Sequence, residues 1–409
     1  MIKPLPAAAV AILATTTLFV PAAHAAPVTL GIDVLMNERL PELKGKRLGL
    51  VVHAAAVDGN LVPTVDRLRA AKDVTVTQLW APEHGLEGAL PNGQSGPTGK
   101  DARTEIPVEG LFGGRIGPSP ETLARVDIVL FDLQDIGSRT YTYASTLGEV
   151  MEACAKAKKP LWVLDRPNPI GGLLFEGPIR KPRWQSLIGW GPVPVSHGMT
   201  FGELAKFYQQ ELKLKTDLVV VAMKGWTRGM VWDDTGLLWV PPSPGIPHPL
   251  NAYLYVATGM VGGSGPNVNE GGGNSMPFEL IGAPFVDPHK LFRELQKDPL
   301  PGLRFRPMTF RPWRGQFGGK IVHGVQLYVT DPHQLRPLRT AVAILAALRK
   351  THPAELKVED ETRFHRTWGD EDVWPAIEAG KGWRELEKSW EKGLVGFGEK
   401  RGKVLMYPL

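Results

Sequence analysis

Residues 126–135 read VDIVLFDLQD, an apolar run that gives way abruptly to Asp132, Gln134 and Asp135. Six nearly continuous apolar residues, rich in β-branched types, predict a strand buried on both faces, as strands of parallel sheets are. Working outward, the same signature recurs in RLGLVV at 47–52, VTVTQLW at 74–80, LWVL at 161–164 and DLVVVAM at 217–223. Between these lie stretches that predict helices over 61–71, near 119–125, around 142–157 and over 200–212. The last opens on Thr200 and Glu203, a capping-box pair. Strand–helix alternation of this kind predicts an α/β fold with a doubly wound parallel sheet. The stretch PPSPGIPHP at 241–249 can propagate neither a helix nor a central strand, so it predicts a boundary. The expected division is an N-terminal catalytic domain over 27–240 and a smaller α+β domain over 241–409 that contributes to the substrate cleft.

The chain's 409 residues, 43% of them hydrophobic, suffice for a large core. The first 26 residues are set apart from it. A short basic start at Lys3, the apolar stretch AAAVAILATTTLFV at 7–20 and the small residues of Ala23-His24-Ala25 form the pattern of a secretory signal peptide. The mature protein is therefore expected to be exported, to the periplasm or beyond the cell. No later run reaches the length of a membrane span, so stable membrane insertion is not expected. Cys154 is the single cysteine. It has no internal disulfide partner and sits in a predicted helix as a small hydrophobe. The formal charge of +5 is dispersed, with no Lys/Arg block, and nucleic-acid binding is unsupported.

In open parallel sheets ligands bind beyond the carboxyl ends of the strands. Each predicted strand here ends in polar or ionisable residues: His53; Glu83 and His84; Asp132, Gln134, Asp135 and Arg139; Asp165, Arg166 and Asn168; Lys224, Trp226 and Arg228. They should converge on one edge. The familiar catalytic signatures are absent. There is no G-x-S-x-G elbow and no H-E-x-x-H, and the glycines at 110–117 do not open a helix directly after a strand. No metal or cofactor is expected. Carboxylates, arginines, glycines and 12 tryptophans remain, equipment suited to polysaccharide chemistry, with tryptophan faces available to pack on sugar rings.

The segments GIDVL (31–35), LKGKRLGLVV (43–52), APEHGLEG (81–88), VLFDLQDIGSRTYTY (129–143), VLDRPNPIGG (163–172), EGP (176–178), HGMTFGELA (197–205), DTGLLWVPPSPG (234–245) and PFELIGAP (277–284) follow one another in this order. Together they resemble the NamZ-type exo-β-N-acetylmuramidases, a glycoside hydrolase family. The resemblance implies a Rossmann-like catalytic domain and release of N-acetylmuramic acid from the non-reducing ends of peptidoglycan fragments. It departs from the family pattern at His53-Ala54-Ala55-Ala56 and at Asn269-Glu270-Gly271-Gly272-Gly273. A hydrolase of another amino-sugar glycoside and a non-catalytic glycan-binding protein of the cell envelope are the alternatives.

Glu83 is the leading candidate for general acid/base, placed after a strand between Pro82 and Gly85. Glu176 and Asp132 are the further catalytic candidates, with Glu270 competing with Glu176 as second carboxylate. His84 either tunes Glu83, contacts substrate or stabilises the turn. Asp135 and His197 are assigned to substrate binding. Arg139 and Arg166 are candidates for gripping the lactyl carboxylate of muramic acid, since a guanidinium offers a planar fork to that group.

Overall fold

A computed structural model describes residues 27–114 and 116–409. The expected signal peptide lies outside the described residues. Seven strands form the main sheet: β1 (Arg47–Val52), β2 (Thr75–Ala81), β3 (Gly99–Lys100), β4 (Pro107–Gly110), β5 (Ile128–Asp132), β6 (Leu161–Leu164) and β7 (Leu218–Val221). Their spatial order is β3-β4-β2-β1-β5-β6-β7. All neighbours pair in parallel except β3 and β4. Five of these strands are those expected, displaced by a residue or two at their ends. The edge strands β3 and β4 were not expected, because GK and PVEG are too short and too polar to carry a period.

The two-residue period of the strands sorts their side chains onto two faces. Leu48, Leu50, Val52, Leu79, Leu130 and Leu164 face a core built with Ile32, Leu35 and Leu68. Val51, Trp80, Val129, Phe131 and Val163 face a larger one. Both faces are covered, which is why the strands read as continuous apolar runs. Gly49 has a packing reason: a Cβ there would lie 2.2 Å from the Trp80 ring. The helix Thr142–Ala157 keeps its expected bounds, ending at Lys158 in the left-handed region. Thr200 and Glu203 form the expected capping box on the helix Phe201–Glu211. The expected helix over 61–71 is shorter, Thr64–Arg69, and starts only after Pro63.

Residues 241–249 form no regular element, and a helix resumes at Leu250. Beyond it β8 (Leu280–Ala283), β9 (Leu303–Phe310) and β10 (Val322–Val329) make an antiparallel sheet in the order β8-β10-β9. The helices Pro288–Leu295 and Pro337–Thr351 pack with it, followed by Glu361–Trp368, Val373–Glu378 and Trp383–Gly402. Ile281, Leu345, Trp368 and Trp390 belong to the same core as Val51 and Phe131, so one apolar layer continues from the main sheet into the second part. The C-terminus then returns to the first part. Tyr407 donates to Asp165 at 2.5 Å, and Met406 N donates to Glu203 at 2.8 Å.

Candidate active site

Glu83 stands two residues beyond β2, in a loop whose backbone is set by His84 (φ 73°) and Gly85 (φ 79°). A non-glycine residue in the left-handed region carries a strain on the order of 1 kcal/mol, held in place here by neighbouring hydrogen bonds. His84 N donates to the Gln94 carbonyl at 2.7 Å, and Leu90 N donates to the His84 carbonyl at 3.2 Å. The ring braces the same turn, with Nδ1 donating to the Leu90 carbonyl at 2.8 Å. That bond requires a proton on Nδ1 and leaves Nε2 to face other partners.

The Glu83 carboxylate accepts from Gly93 N at 2.6 Å through Oε1 and from Thr142 Oγ1 at 2.7 Å through Oε2. Thr142 is the first residue of the long helix, and the next residue, Tyr143, places its hydroxyl 3.0 Å from the Glu83 backbone oxygen. The start of one helix thus positions both ends of the glutamate. Glu83 and His84 line a cleft of about 580 Å³. Its other walls carry Tyr141, Ser243, Tyr255, Glu270, Phe278, Asp360, Arg363 and Arg366, so the second part of the chain roofs the edge of the main sheet. Glu270 is half-buried in that wall, and desolvation raises its carboxyl above the usual range. Gly262 makes room for it, since a Cβ there would meet Glu270 Oε2 at 2.5 Å.

The expectation that Glu83, Asp132, Arg139 and Arg166 share one cleft does not hold. Asp132 is wholly buried, and its two oxygens accept from Arg166 Nε at 2.5 Å and Nη2 at 3.0 Å; Oδ2 also accepts from Thr64. This closed pair does not line the cleft, and Arg166 pairs with Asp132 rather than with its neighbour Asp165. Asp165 instead accepts from Thr200, Gly202 N and Tyr407, while burial raises its carboxyl to about 6. Arg139 is buried, with Nη2 donating to the Thr367 carbonyl at 2.7 Å. Desolvation, with Arg180 nearby, lowers it to about 9.

Asp135 and His197 are placed together but also inside the protein. Met199 N donates to His197 Nδ1 at 3.2 Å, leaving the ring proton on Nε2, which lies 3.1 Å from Asp135 Oδ2 without a hydrogen bond's alignment. Glu176 faces a different groove. It accepts from Arg336 Nε at 2.5 Å and from Leu338 N at 3.1 Å, tying the first part of the chain to the start of the helix Pro337–Thr351. Of the expected site residues, Glu83, His84 and Glu270 reach the cleft.

The tryptophans also go elsewhere. Trp80, Trp226 and Trp368 are fully buried, and the aromatic side chains lining the cleft are Phe112, Tyr141, Tyr255 and Phe278. Among the cleft residues that escaped the sequence reading are Thr142, Arg363 and Arg366. The pattern DETRFHRTW at 360–368 holds a signal, an N-cap aspartate with Phe364 and Trp368 on one face and the arginines on another. It marks an exposed cationic face without saying what that face borders.

Two family models divide the chain between them. That for the N-terminal part of the exo-β-N-acetylmuramidase NamZ matches residues 48–250, and that for its C-terminal part matches 253–407. The chain therefore belongs to the NamZ family of exo-β-N-acetylmuramidases, glycoside hydrolases. It is 40% identical over 377 residues to the peptidoglycan β-N-acetylmuramidase NamZ of Bacillus subtilis, covering 92% of this chain and 91% of that protein. Crystal structures of two DUF1343-family proteins from Bacteroides fragilis share the fold. One has a TM-score of 0.87 at 33% identity, covering 94% of this chain and all of the other. The second has a TM-score of 0.76 at 26% identity, covering 94% and 99%.

Proposed function

We propose that this protein is an exported exo-β-N-acetylmuramidase that releases N-acetylmuramic acid from the non-reducing ends of peptidoglycan fragments, with Glu83 as its general acid/base. The observation that carries this reading is the setting of Glu83, fixed in orientation by Gly93 and Thr142 on the wall of a cleft large enough for a sugar. Glycoside hydrolysis needs a proton for the leaving oxygen and a second group to activate or replace the attacking water. Glu270 is the second glutamate of the cleft and takes that partnership in place of Glu176 and Asp132, whose oxygens are occupied inside the fold. Desolvation raises the Glu270 carboxyl, which makes its carboxylate a stronger base toward the attacking water.

Export is supported by the pattern of residues 1–26 and by the place where peptidoglycan is found; mass analysis of the protein recovered from outside the cytoplasm should give a chain beginning at Ala26 or Pro27. The activity is tested with a chromogenic β-N-acetylmuramide and its N-acetylglucosamine counterpart. Release from the first alone is expected. Release from the second alone would make the protein a hydrolase of another amino-sugar glycoside, and binding without release from either would make it a glycan-binding protein.

A further inference from the structure

Several arginines elsewhere in the fold are already engaged. Arg166 is locked to Asp132, Arg228 to Glu203 at 2.6 Å and Arg336 to Glu176 at 2.5 Å. Arg363 and Arg366 differ. They project from the exposed side of the helix Glu361–Trp368, whose other side buries Phe364, Thr367 and Trp368 in the core. Residues three apart on a helix are neighbours on one face, and both side chains line the cleft that holds Glu83. Among the described residues neither guanidinium makes a hydrogen bond or a close ion pair, although Asp360 lines the same cleft and the Arg363 charge acts on Glu270 across it. The helix itself is anchored, because the Asp360 side chain accepts from Arg363 N at 2.8 Å. Two unpartnered cations on a fixed element, facing the same space as a catalytic carboxylate, form a receptor for an anion.

We propose that Arg363 and Arg366 recognise the lactyl carboxylate of the substrate and so set the preference for a muramyl over a glucosaminyl residue. This assignment rests on the muramidase reading. N-acetylmuramic acid and N-acetylglucosamine differ by the lactyl ether, which carries one negative charge. A guanidinium matches a carboxylate with two parallel N–H···O bonds, whereas the neutral sugar gives the arginines no such partner. Discrimination then arises from contacts that only the acid makes. The role moves from Arg139 and Arg166, which are both held inside the protein.

The test compares a chromogenic β-N-acetylmuramide with the same glycoside carrying a lactyl carboxamide, nearly identical in shape but neutral. Wild-type protein should prefer the acid by about 10–100-fold in kcat/KM, the range expected for losing a charge-assisted hydrogen bond. Arg363→Met and Arg366→Met should each lose a comparable factor on the acid, mainly through KM, and little on the amide. Equal treatment of acid and amide by the wild type, or equal losses on both in the variants, would overturn the assignment. Calorimetric titration with free N-acetylmuramic acid and free N-acetylglucosamine gives an independent reading; the acid should bind more tightly to the wild type, and the variants should lose that advantage. If wild-type protein cleaves no muramide, the muramidase reading fails, and the titration still decides whether the two arginines bind the carboxylate. If it cleaves acid and amide alike, the arginine assignment alone fails.

Discussion

Two carboxylates at the ends of the parallel strands on either side of β1 meet opposite fates. Asp132 closes β5 and Glu83 follows β2, and in the sequence each marks the point where an apolar run turns polar. Asp132 meets a matching cation inside the fold, Arg166, which satisfies both of its oxygens. Glu83 is held only by neutral donors, a backbone N–H and a threonine hydroxyl, and lines the open cleft. A buried charge with a countercharge braces the structure, and its field is largely cancelled. A carboxyl held by neutral dipoles at the edge of a cleft is placed to exchange a proton with a substrate. The arginines divide in the same way, with Arg166 in the brace and Arg363 and Arg366 in the cleft.

The contrast can be broken most sharply at Glu83. Glu83→Gln should lower kcat by about 10²–10⁴-fold, the usual range for a general acid/base, with an unfolding midpoint close to that of the wild type. A near-normal rate would remove Glu83 from the chemistry. Arg166→Met should do the reverse, costing about 3–5 kcal/mol of stability by leaving Asp132 buried and unpaired, while the protein that remains folded turns over normally. Denaturant titration alongside kinetics separates the two outcomes. A rate loss in Arg166→Met without a stability loss would return the pair to the site.

A smaller effect is expected at Glu270. Glu270→Gln should lower kcat by about 10²-fold and remove the acidic limb of the pH–rate profile, the limb of a carboxyl that must be ionised to activate water. A limb that persists would assign that base to another group.

The subtlest effect concerns His53, which follows β1 and is buried near both regions. Its Nε2 accepts from Gln134 N at 2.9 Å, and its Nδ1 lies 3.3 Å from the Pro242 carbonyl. Burial, with Arg166 nearby, lowers its pKa from 6.5 to about 3. Between these values the unfolded chain binds a proton that the folded one does not, so stability contributed by this residue is present above pH 6.5 and declines as pH falls toward 3. Asp165, raised to about 6, runs the other way: its contribution declines as pH rises from about 4 to 6. The measurement is therefore a difference. Stability curves of wild type and His53→Phe should converge with falling pH over that window, by up to a few kcal/mol. Parallel curves would show that His53 is not held neutral.

The sequence alone determined the parallel sheet, because strands covered on both faces must be apolar along their buried length, and LGLVV, IVLF and LWVL are. It also determined the capping box at Thr200 and Glu203, a local device that needs no distant partner. It placed Glu83 and Glu270 among the candidates, since a glutamate amid glycines leaves a recognisable loop. Only tertiary structure decided which strand-end charges remain available. Asp132 and Arg166 are 34 residues apart, and no local pattern announces that they meet. The same holds for the helix Glu361–Trp368. Its amphipathic pattern fixes an exposed face, but whether that face meets water or a cleft is settled by a chain that folds back across the sheet edge long after forming it. Backbone propensity and hydrophobic period act over a few residues and are written locally. Charge pairing and cleft formation join distant segments and appear only once the chain has folded.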